Sequence, residues 1–227
     1  RYRLERVQAA RRNFVWSMGL PENAEWAARK PSDSADKWAW SGDPIMFPWE
    51  SSSTGQETVP GPSRRQHHIT GTVAFAMQLA ADVGLVPQQD ARLVGEGAAR
   101  FFIRRSVPGL GGLREIRGVM SPDEHHIGDN DLYTNLLAQW CVDRYMPKTL
   151  ARPVFKLPRD SIGLLTYDND PIRSYKQAAA VLAIYPLEHA EAERQAKQMM
   201  SRFADKVTPN GPAMSDSIHA LIWARVG

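Results

Sequence analysis

Residues 118–146 read GVMSPDEHHIGDNDLYTNLLAQWCVDRYM, a polar run that leads directly into an apolar repeat. The apolar residues of the second half fall at the spacing that places side chains on one face of a helix. They are Leu132, Leu136, Leu137 and Trp140. The repeat predicts a helix over residues 131–146 whose apolar side faces the protein core.

Helical spacing recurs along most of the chain. It predicts further helices over residues 1–18, 67–84, 88–106, 174–185, 188–206 and 213–225. Residues 113–117 predict a short strand, and Ser215 and Asp216 are expected to cap the last helix. Since no alternating strand–helix pattern occurs, we expect an all-α protein built of helical hairpins. Periodicity leaves a bundle, a solenoid and an α/α toroid open.

The bulk composition argues against several classes of protein. Of the 227 residues, 43% are hydrophobic and 23% are charged, as in an ordinary folded domain. A net charge of +3 without a recognised binding motif argues against a nucleic-acid partner. No apolar run is long enough to span a membrane, and Cys141 is alone, so no internal disulfide can form. Because the chain starts at Arg1 within a predicted helix, we expect a fragment and leave its compartment open.

The polar run before the 131–146 helix concentrates acids, imidazoles and amides, and two interpretations fit it. One is a solvated loop in which Asp129 or Asn130 caps the helix. The other is a carbohydrate site, because carboxylates and amides bind sugar hydroxyls. Cleavage of a glycosidic bond also requires a carboxylic acid that stays protonated near neutral pH. The residues alone leave both interpretations open.

The polar run resembles the Gly-Pro-Asp-Glu-Tyr-His … Asn-Asn-x-Tyr-Thr-Asn motif of glycoside hydrolase family 65. That family holds maltose, trehalose and kojibiose phosphorylases, acid trehalases and glucosylgalactosyl-hydroxylysine glucosidases. The resemblance implies that Glu124 is the general acid and that Asp123 and Asn135 bind substrate. Ser121 and His125 replace the Gly and the Tyr of the family motif. The replacement at His125 affects the expected contacts with the sugar, and it does not affect the assignment of Glu124 as the acid.

Two upstream segments match the same family in the same order. Residues 47–57, which read FPWESSSTGQE, are similar to the family's loop that lines the sugar site. This similarity implies that Trp49 and Glu50 bind substrate. Residues 66–74, which read QHHITGTVA, resemble the start of one of its helices, and only His68 carries over from there as a substrate-binding residue.

A downstream segment completes the resemblance. Residues 176–187, which read KQAAAVLAIYPL, resemble a later helix of the family. Lys176 and Gln177 are thereby implied to hold glucose hydroxyls at the −1 subsite. The ordered matches imply that residues 1–227 are a single domain, a fragment of a catalytic (α/α)6 barrel. The resemblance also leads us to expect that the β-sandwich domains that flank the barrel in the family lie outside these 227 residues.

Residues 210–219, which read NGPAMSDSIH, bear on the choice between hydrolysis and phosphorolysis. In phosphorylases of the family, adjacent serines at this place contact phosphate, whereas this chain has Pro212-Ala213. The Gly-Pro-Ala-Met form resembles the hydrolase branch and implies an inverting glycosidase that uses water. The general base of that branch lies downstream of this motif, so we nominate none in this chain.

Two rival functions remain open on the sequence. One is an inverting disaccharide phosphorylase that releases β-glucose 1-phosphate, and the other is a non-catalytic remnant that binds carbohydrate. The imidazole pairs 67–68 and 125–126 do not predict a metal, because adjacent histidines point apart and no third ligand has a recognised spacing. We therefore expect a carbohydrate substrate, no cofactor, and no nucleic-acid or membrane partner, and we leave a homo-oligomer open.

Overall fold

The computed structural model describes residues 42–49 and 65–227. The helix predicted over residues 1–18 and the predicted sugar ligand Glu50 lie outside the described residues. Within the described ranges, none of the helices combines the length and the apolar character that a membrane span requires.

Helices make up most of the regular structure in the described ranges, and the strands there are two residues long. In chain order the elements are α1 (His68–Asp82), α2 (Gln88–Arg105), β1 (Val107–Pro108), β2 (Arg114–Glu115), β3 (Val119–Met120), β4 (Ile127–Gly128), α3 (Leu132–Tyr145), α4 (Ala190–Arg194), α5 (Ala196–Phe203) and α6 (Met214–Val226). The strands form two antiparallel pairs, β1 with β2 and β3 with β4. This helix-rich fold agrees with the predicted all-α class, and closure into a barrel stays a prediction.

The described residues divide into two compact units. The first comprises residues 42–49, 65–116 and 137–155, and the second comprises residues 117–136 and 156–227. Helix α3 supplies its first residues to the second unit and the remainder to the first. The prediction of a single domain is not tested by this division and stays a prediction.

Helices α1 and α2 pack on each other in the first unit. A small residue on α2 allows a close approach, because Gly95 lies directly against the ring of Tyr145. The Tyr145 hydroxyl donates a hydrogen bond of 2.7 Å to Gln78 Oε1 on α1. Burial raises the pKa of Tyr145 to about 12, so this hydroxyl keeps its proton and remains a donor.

The second unit has an apolar core built largely from its C-terminal half. Met199, Met200 and Phe203 of α5 and Ile222 of α6 are buried there together with Leu132 at the start of α3. Full burial of one such side chain contributes roughly 1.5–3 kcal/mol. This core supports the loops between β3 and α3 and after residue 156, which carry most of the predicted polar site.

The helix predicted over residues 174–185 is wrong for most of its length, because only Ala180–Ala183 form one 3-10 turn. Tertiary partners use the backbone groups that a helix would need. The carbonyl of Tyr175 accepts the N–H of Thr208, not that of Ala179 as a helix would require. The N–H of Ala178 donates to Ser215 Oγ at 2.8 Å. These bonds hold the segment in an extended and bent form.

Three smaller predictions also need correction. The helix predicted over residues 188–206 is interrupted at Gln195, which separates α4 from α5. Ser215 and Asp216 do not cap α6, because α6 begins at Met214 and no side chain caps its N-terminus. The cap of α3 is Asp131 rather than Asp129 or Asn130, since Asp131 Oδ1 accepts the backbone N–H of Thr134 at 2.8 Å.

We expect Gly95→Ala to destabilise the protein. A Cβ at this position would overlap the Tyr145 ring, and overpacking of this kind costs about 1–3 kcal/mol. Because the overlap is severe, we expect that cost to exceed the gain of about 1 kcal/mol that Ala has over Gly in a helix. Thermal unfolding of the wild type, Gly95→Ala, Tyr145→Leu and the double variant measures the coupling between the two positions. An equal cost of Gly95→Ala with and without the tyrosine ring would contradict the prediction.

Candidate active site

The predicted acid lies at the tip of a short hairpin in the second unit. Strands β3 and β4 pair in the register Val119 with Gly128 and Met120 with Ile127. Residues 121–126 therefore form the connecting loop, and they hold the Pro-Asp-Glu-His-His sequence. The first part of the polar run is thus a hairpin loop, and β4 and residues 129–131 separate it from α3.

Glu124 and Lys176 come together although they are 52 residues apart in sequence. Lys176 Nζ donates to Glu124 Oε2 at 2.5 Å. The Glu124 side chain is 23% exposed and the Lys176 side chain is 32% exposed, so solvent or a ligand reaches both. The structure therefore joins two residues that the sequence predicted from separate motifs.

Gln177 joins the same group. Its side-chain amide donates to the backbone carbonyl of Pro122, in the hairpin loop. Gln177 and Lys176 are both half-buried. Consecutive residues of one segment thus contact the hairpin loop on either side of Asp123.

Asp123 is fully buried, unlike its neighbour Glu124. Its Oδ1 accepts the backbone N–H of Lys176 at 2.7 Å and, more weakly, that of His125 at 3.4 Å. Its Oδ2 meets Nδ1 of His126. Both carboxylate oxygens therefore have partners within the protein, and the predicted contact of Asp123 with substrate stays a prediction.

Two tyrosines flank His126 and were not predicted from the sequence. The imidazole stacks on Tyr167 with ring centroids 5.9 Å apart and an interplanar angle of 25°. The Tyr175 ring lies 5.8 Å from it on a tilted plane. Burial raises the pKa of Tyr167 to about 12 and raises that of Tyr175 as well. No sequence pattern pointed to these residues, because they come from an irregular segment.

Asn135 lies in the second unit, but its side chain is fully buried. Its amide donates to the carbonyl of Lys156 at 2.7 Å and to Asn130 Oδ1 at 3.3 Å. Asn130 in turn donates to Asp168 at 2.7 Å. These contacts hold the loop after residue 156 in place, and the substrate-binding role of Asn135 stays a prediction.

The remaining predicted ligands belong to the first unit or are not described. Trp49 is 36% exposed, and His68 is the buried first residue of α1. Glu50 lies outside the described residues. The sugar contacts of all three stay predictions. In residues 42–49 and 65–227, no group of three or more His, Cys, Asp or Glu residues is arranged to hold a metal ion.

Comparison with known sequences identifies the family. Residues 27–162, more than half of the chain, match the model of the glycosyl hydrolase family 65 central catalytic domain. The chain belongs to glycosyl hydrolase family 65. The matched range includes the hairpin loop with Glu124, and it ends before Lys176.

Several characterised and uncharacterised proteins are similar to this family 65 chain. A protein-glucosylgalactosylhydroxylysine glucosidase of Mus musculus is 30% identical over 200 residues, which cover 78% of this chain and 29% of that protein. A kojibiose hydrolase of Mucilaginibacter mallensis is 29% identical over 211 residues, which cover 80% of this chain and 30% of that protein. An uncharacterized glycosyl hydrolase of Mycobacterium tuberculosis is 31% identical over 159 residues, which cover 55% of this chain and 12% of that protein. The chain thus spans less than a third of the length of each.

Asp131 caps α3, and the pKa of its carboxyl is raised. Its Oδ1 accepts both the backbone N–H and the hydroxyl of Thr134, the latter at 2.6 Å. Desolvation raises the pKa of Asp131 to about 6, and the nearby Asp123 carboxylate acts in the same direction. The folded protein therefore retains this proton to a higher pH than the unfolded chain does.

We expect Asp131 to make the free energy of unfolding decrease as the pH rises from about 4 to about 6. The folded state binds the extra proton in that window, so raising the pH removes up to about 3 kcal/mol. Asp131→Asn keeps a capping oxygen and should abolish this part of the pH dependence. Urea unfolding of both proteins at pH 4, 5, 6 and 7 measures it.

Asp160→Asn provides a control of opposite sign. Backbone N–H groups of Gly163 and Ile162, with Arg202, lower the pKa of Asp160 to about 2. Its stabilising contribution should therefore be lost as pH falls, not as it rises. Parallel pH curves for the wild type and Asp131→Asn between pH 4 and 7 would contradict the assignment to Asp131.

Proposed function

We propose that this chain carries part of the catalytic site of an inverting glycosidase that hydrolyses an α-glucosidic bond, with Glu124 as the general acid. The observation that carries the proposal is the contact between Glu124 and Lys176. A candidate acid and a candidate sugar ligand, implied by different motifs, meet at a solvent-accessible point. Membership of family 65 supports the same reaction class.

The residues of the second unit suggest how the acid would act. Glu124 would protonate the oxygen that links the two sugars as the bond breaks. The Lys176 ammonium has three N–H donors, so it can donate to Oε2 of a protonated Glu124, whose acidic proton is then on the other oxygen, and still bind a glucose hydroxyl. Gln177 would add a second polar contact from the same segment. An inverting reaction also needs a carboxylate base about 6.5–9.5 Å from the acid, and we assign none.

The segment after Thr208 supports water rather than phosphate as the attacking group. Gly211 lies directly against the carbonyl of Lys176, where a Cβ would overlap that oxygen. Pro212-Ala213 therefore follows immediately beside the Lys176 segment, and it offers no hydroxyl and only one N–H. The next hydroxyl, that of Ser215, is buried and accepts the N–H of Ala178.

The names of similar proteins suggest a substrate class. Those proteins are called a glucosylgalactosylhydroxylysine glucosidase and a kojibiose hydrolase. We propose that this chain acts on a glucosyl disaccharide or a glycoconjugate of that kind. The names do not support the prediction of a trehalase. We further propose that the helices belong to an (α/α)6 barrel, and that carbohydrate is the partner.

Replacing Glu124 by Gln should abolish hydrolysis and leave sugar binding intact. The amide keeps the shape of the side chain but cannot donate an acidic proton, so kcat should fall by roughly 10²–10⁴-fold. Glucose release by the full-length protein from kojibiose, trehalose and glucosylgalactosylhydroxylysine measures kcat. Calorimetric titration with glucose measures binding.

Glu188→Gln is the matched control, because Glu188 pairs with Arg225 on an exposed surface. It should leave kcat unchanged. Full activity of Glu124→Gln would refute the assignment of the acid. If the wild type binds these sugars but cleaves none of them, the chain is a carbohydrate-binding remnant instead.

Turnover should not depend on phosphate. Because residues 212–213 offer no hydroxyl to an anion, removal of phosphate should leave the rate unchanged and free glucose should be the product. Proton NMR of the earliest product should detect the β-anomer if the reaction inverts. A rate that stops without phosphate, with glucose 1-phosphate as product, would establish a phosphorylase.

A further inference from the structure

The Asp123 carboxylate connects two segments of the second unit. Together these segments carry Glu124, Lys176 and Gln177, the predicted site residues of this unit whose side chains are partly exposed. On one side lies the hairpin loop, residues 121–126, with Glu124. On the other lies the segment with Lys176 and Gln177. Asp123 Oδ1 accepts the Lys176 backbone N–H at 2.7 Å, and its side chain has no exposed surface.

We propose that Asp123 and His126 are positioning residues that hold Glu124 at its working place beside Lys176. The proposal rests on the proposed function, since it concerns the acid of that reaction. Asp123 acts through the Lys176 main chain, and His126 acts through Asp123. Neither residue is assigned a contact with the reacting atoms.

The other contacts between the two segments are weaker constraints. The Glu124–Lys176 ion pair is partly exposed, and pairs of that kind typically contribute about 0–1 kcal/mol. The Gln177 amide is neutral, so its hydrogen bond to Pro122 is weaker than one to a carboxylate. A hydrogen bond to a buried carboxylate is shorter and stronger than a neutral one, and its loss leaves a desolvated group unsatisfied. The Asp123 bond therefore sets the distance between the segments.

His126 fixes the second oxygen of Asp123. Its Nδ1 meets Asp123 Oδ2, and since a carboxylate only accepts, Nδ1 is the donor. The Tyr167 and Tyr175 rings pack against the imidazole and limit its rotation. The carboxylate is thus held from two directions, by a main-chain N–H and by a ring that is itself packed.

The geometry opposes the alternative that Asp123 is a sugar ligand. A ligand must present an oxygen to the substrate, whereas the Asp123 side chain is 0% exposed and both its oxygens have protein partners. Glu124, the next residue, presents its carboxyl to the accessible side. The two acids of the motif would then have different tasks, one holding the loop and one delivering the proton.

The experiment compares two substrates in the full-length protein. The first is the glucoside that the wild type hydrolyses best, whose sugar leaving group needs a proton. The second is α-glucosyl fluoride, whose fluoride leaves with little proton assistance. Misplacement of the acid by about 1 Å can cost roughly 100-fold, so Asp123→Ala and His126→Ala should lower kcat for the first substrate by about that factor.

The same variants should lower kcat for the fluoride less than about tenfold, which is below the cost of misplacing the acid. KM should change little for either substrate. His126→Asn should restore most of the rate, because its amide N–H can replace Nδ1 as the donor to Asp123. Asp160→Asn is the matched control, since Asp160 also holds a turn through backbone N–H groups and an ion pair with Arg202. It should affect both substrates equally.

Each other outcome overturns the proposal. If Asp123→Ala raises KM for both substrates and weakens glucose binding, Asp123 is a sugar ligand. If both substrates lose rate equally, Asp123 has only a structural role. The proposed function is tested separately by Glu124→Gln on the same two substrates. If Glu124→Gln lowers kcat equally for the glucoside and the fluoride, Glu124 is not the acid. If Glu124→Gln affects the glucoside more than the fluoride but the Asp123 and His126 variants do not, only the positioning role fails.

Discussion

The backbone N–H of Lys176 donates to the buried carboxylate of Asp123, and the polar arrangement of the second unit depends on that hydrogen bond. A carboxylate with no exposed surface loses its hydration, so it must be satisfied within the protein. Here it is satisfied by a main-chain group and by the His126 ring. Because these partners come from different segments, the requirement to satisfy one buried acid also brings Glu124 and Lys176 within hydrogen-bonding distance.

The same constraint shapes the chain around residue 176. A helix over residues 174–185 would need the Tyr175 carbonyl and the Ala178 N–H for its own hydrogen bonds, and these groups are instead bound to Thr208 and Ser215. Gly211 then lies against the Lys176 carbonyl, which only a residue without a side chain allows. The candidate site is therefore made of irregular backbone, supported below by the apolar core of α5 and α6.

Irregular backbone of this kind suits a carbohydrate site. Loops place side chains at a surface that a regular element would direct inward, while the core beneath keeps them from moving. Glu124 is 23% exposed and Asp123 is 0% exposed, although they are consecutive. A hairpin tip can turn adjacent side chains to opposite sides, so one acid can face substrate while the other anchors the loop.

The sequence by itself determined four of the helices and the family to which the chain belongs. The apolar repeats predicted α1, α2, α3 and α6 to within about two residues, because burial of one helical face requires that spacing. The motifs also predicted Glu124, Lys176 and Gln177. Only the tertiary structure decided that residues 174–179 are not helical, that Asp131 caps α3, and that Asp123 and Asn135 are fully buried. These features depend on hydrogen bonds between residues distant in sequence, and local propensity carries no information about such partners.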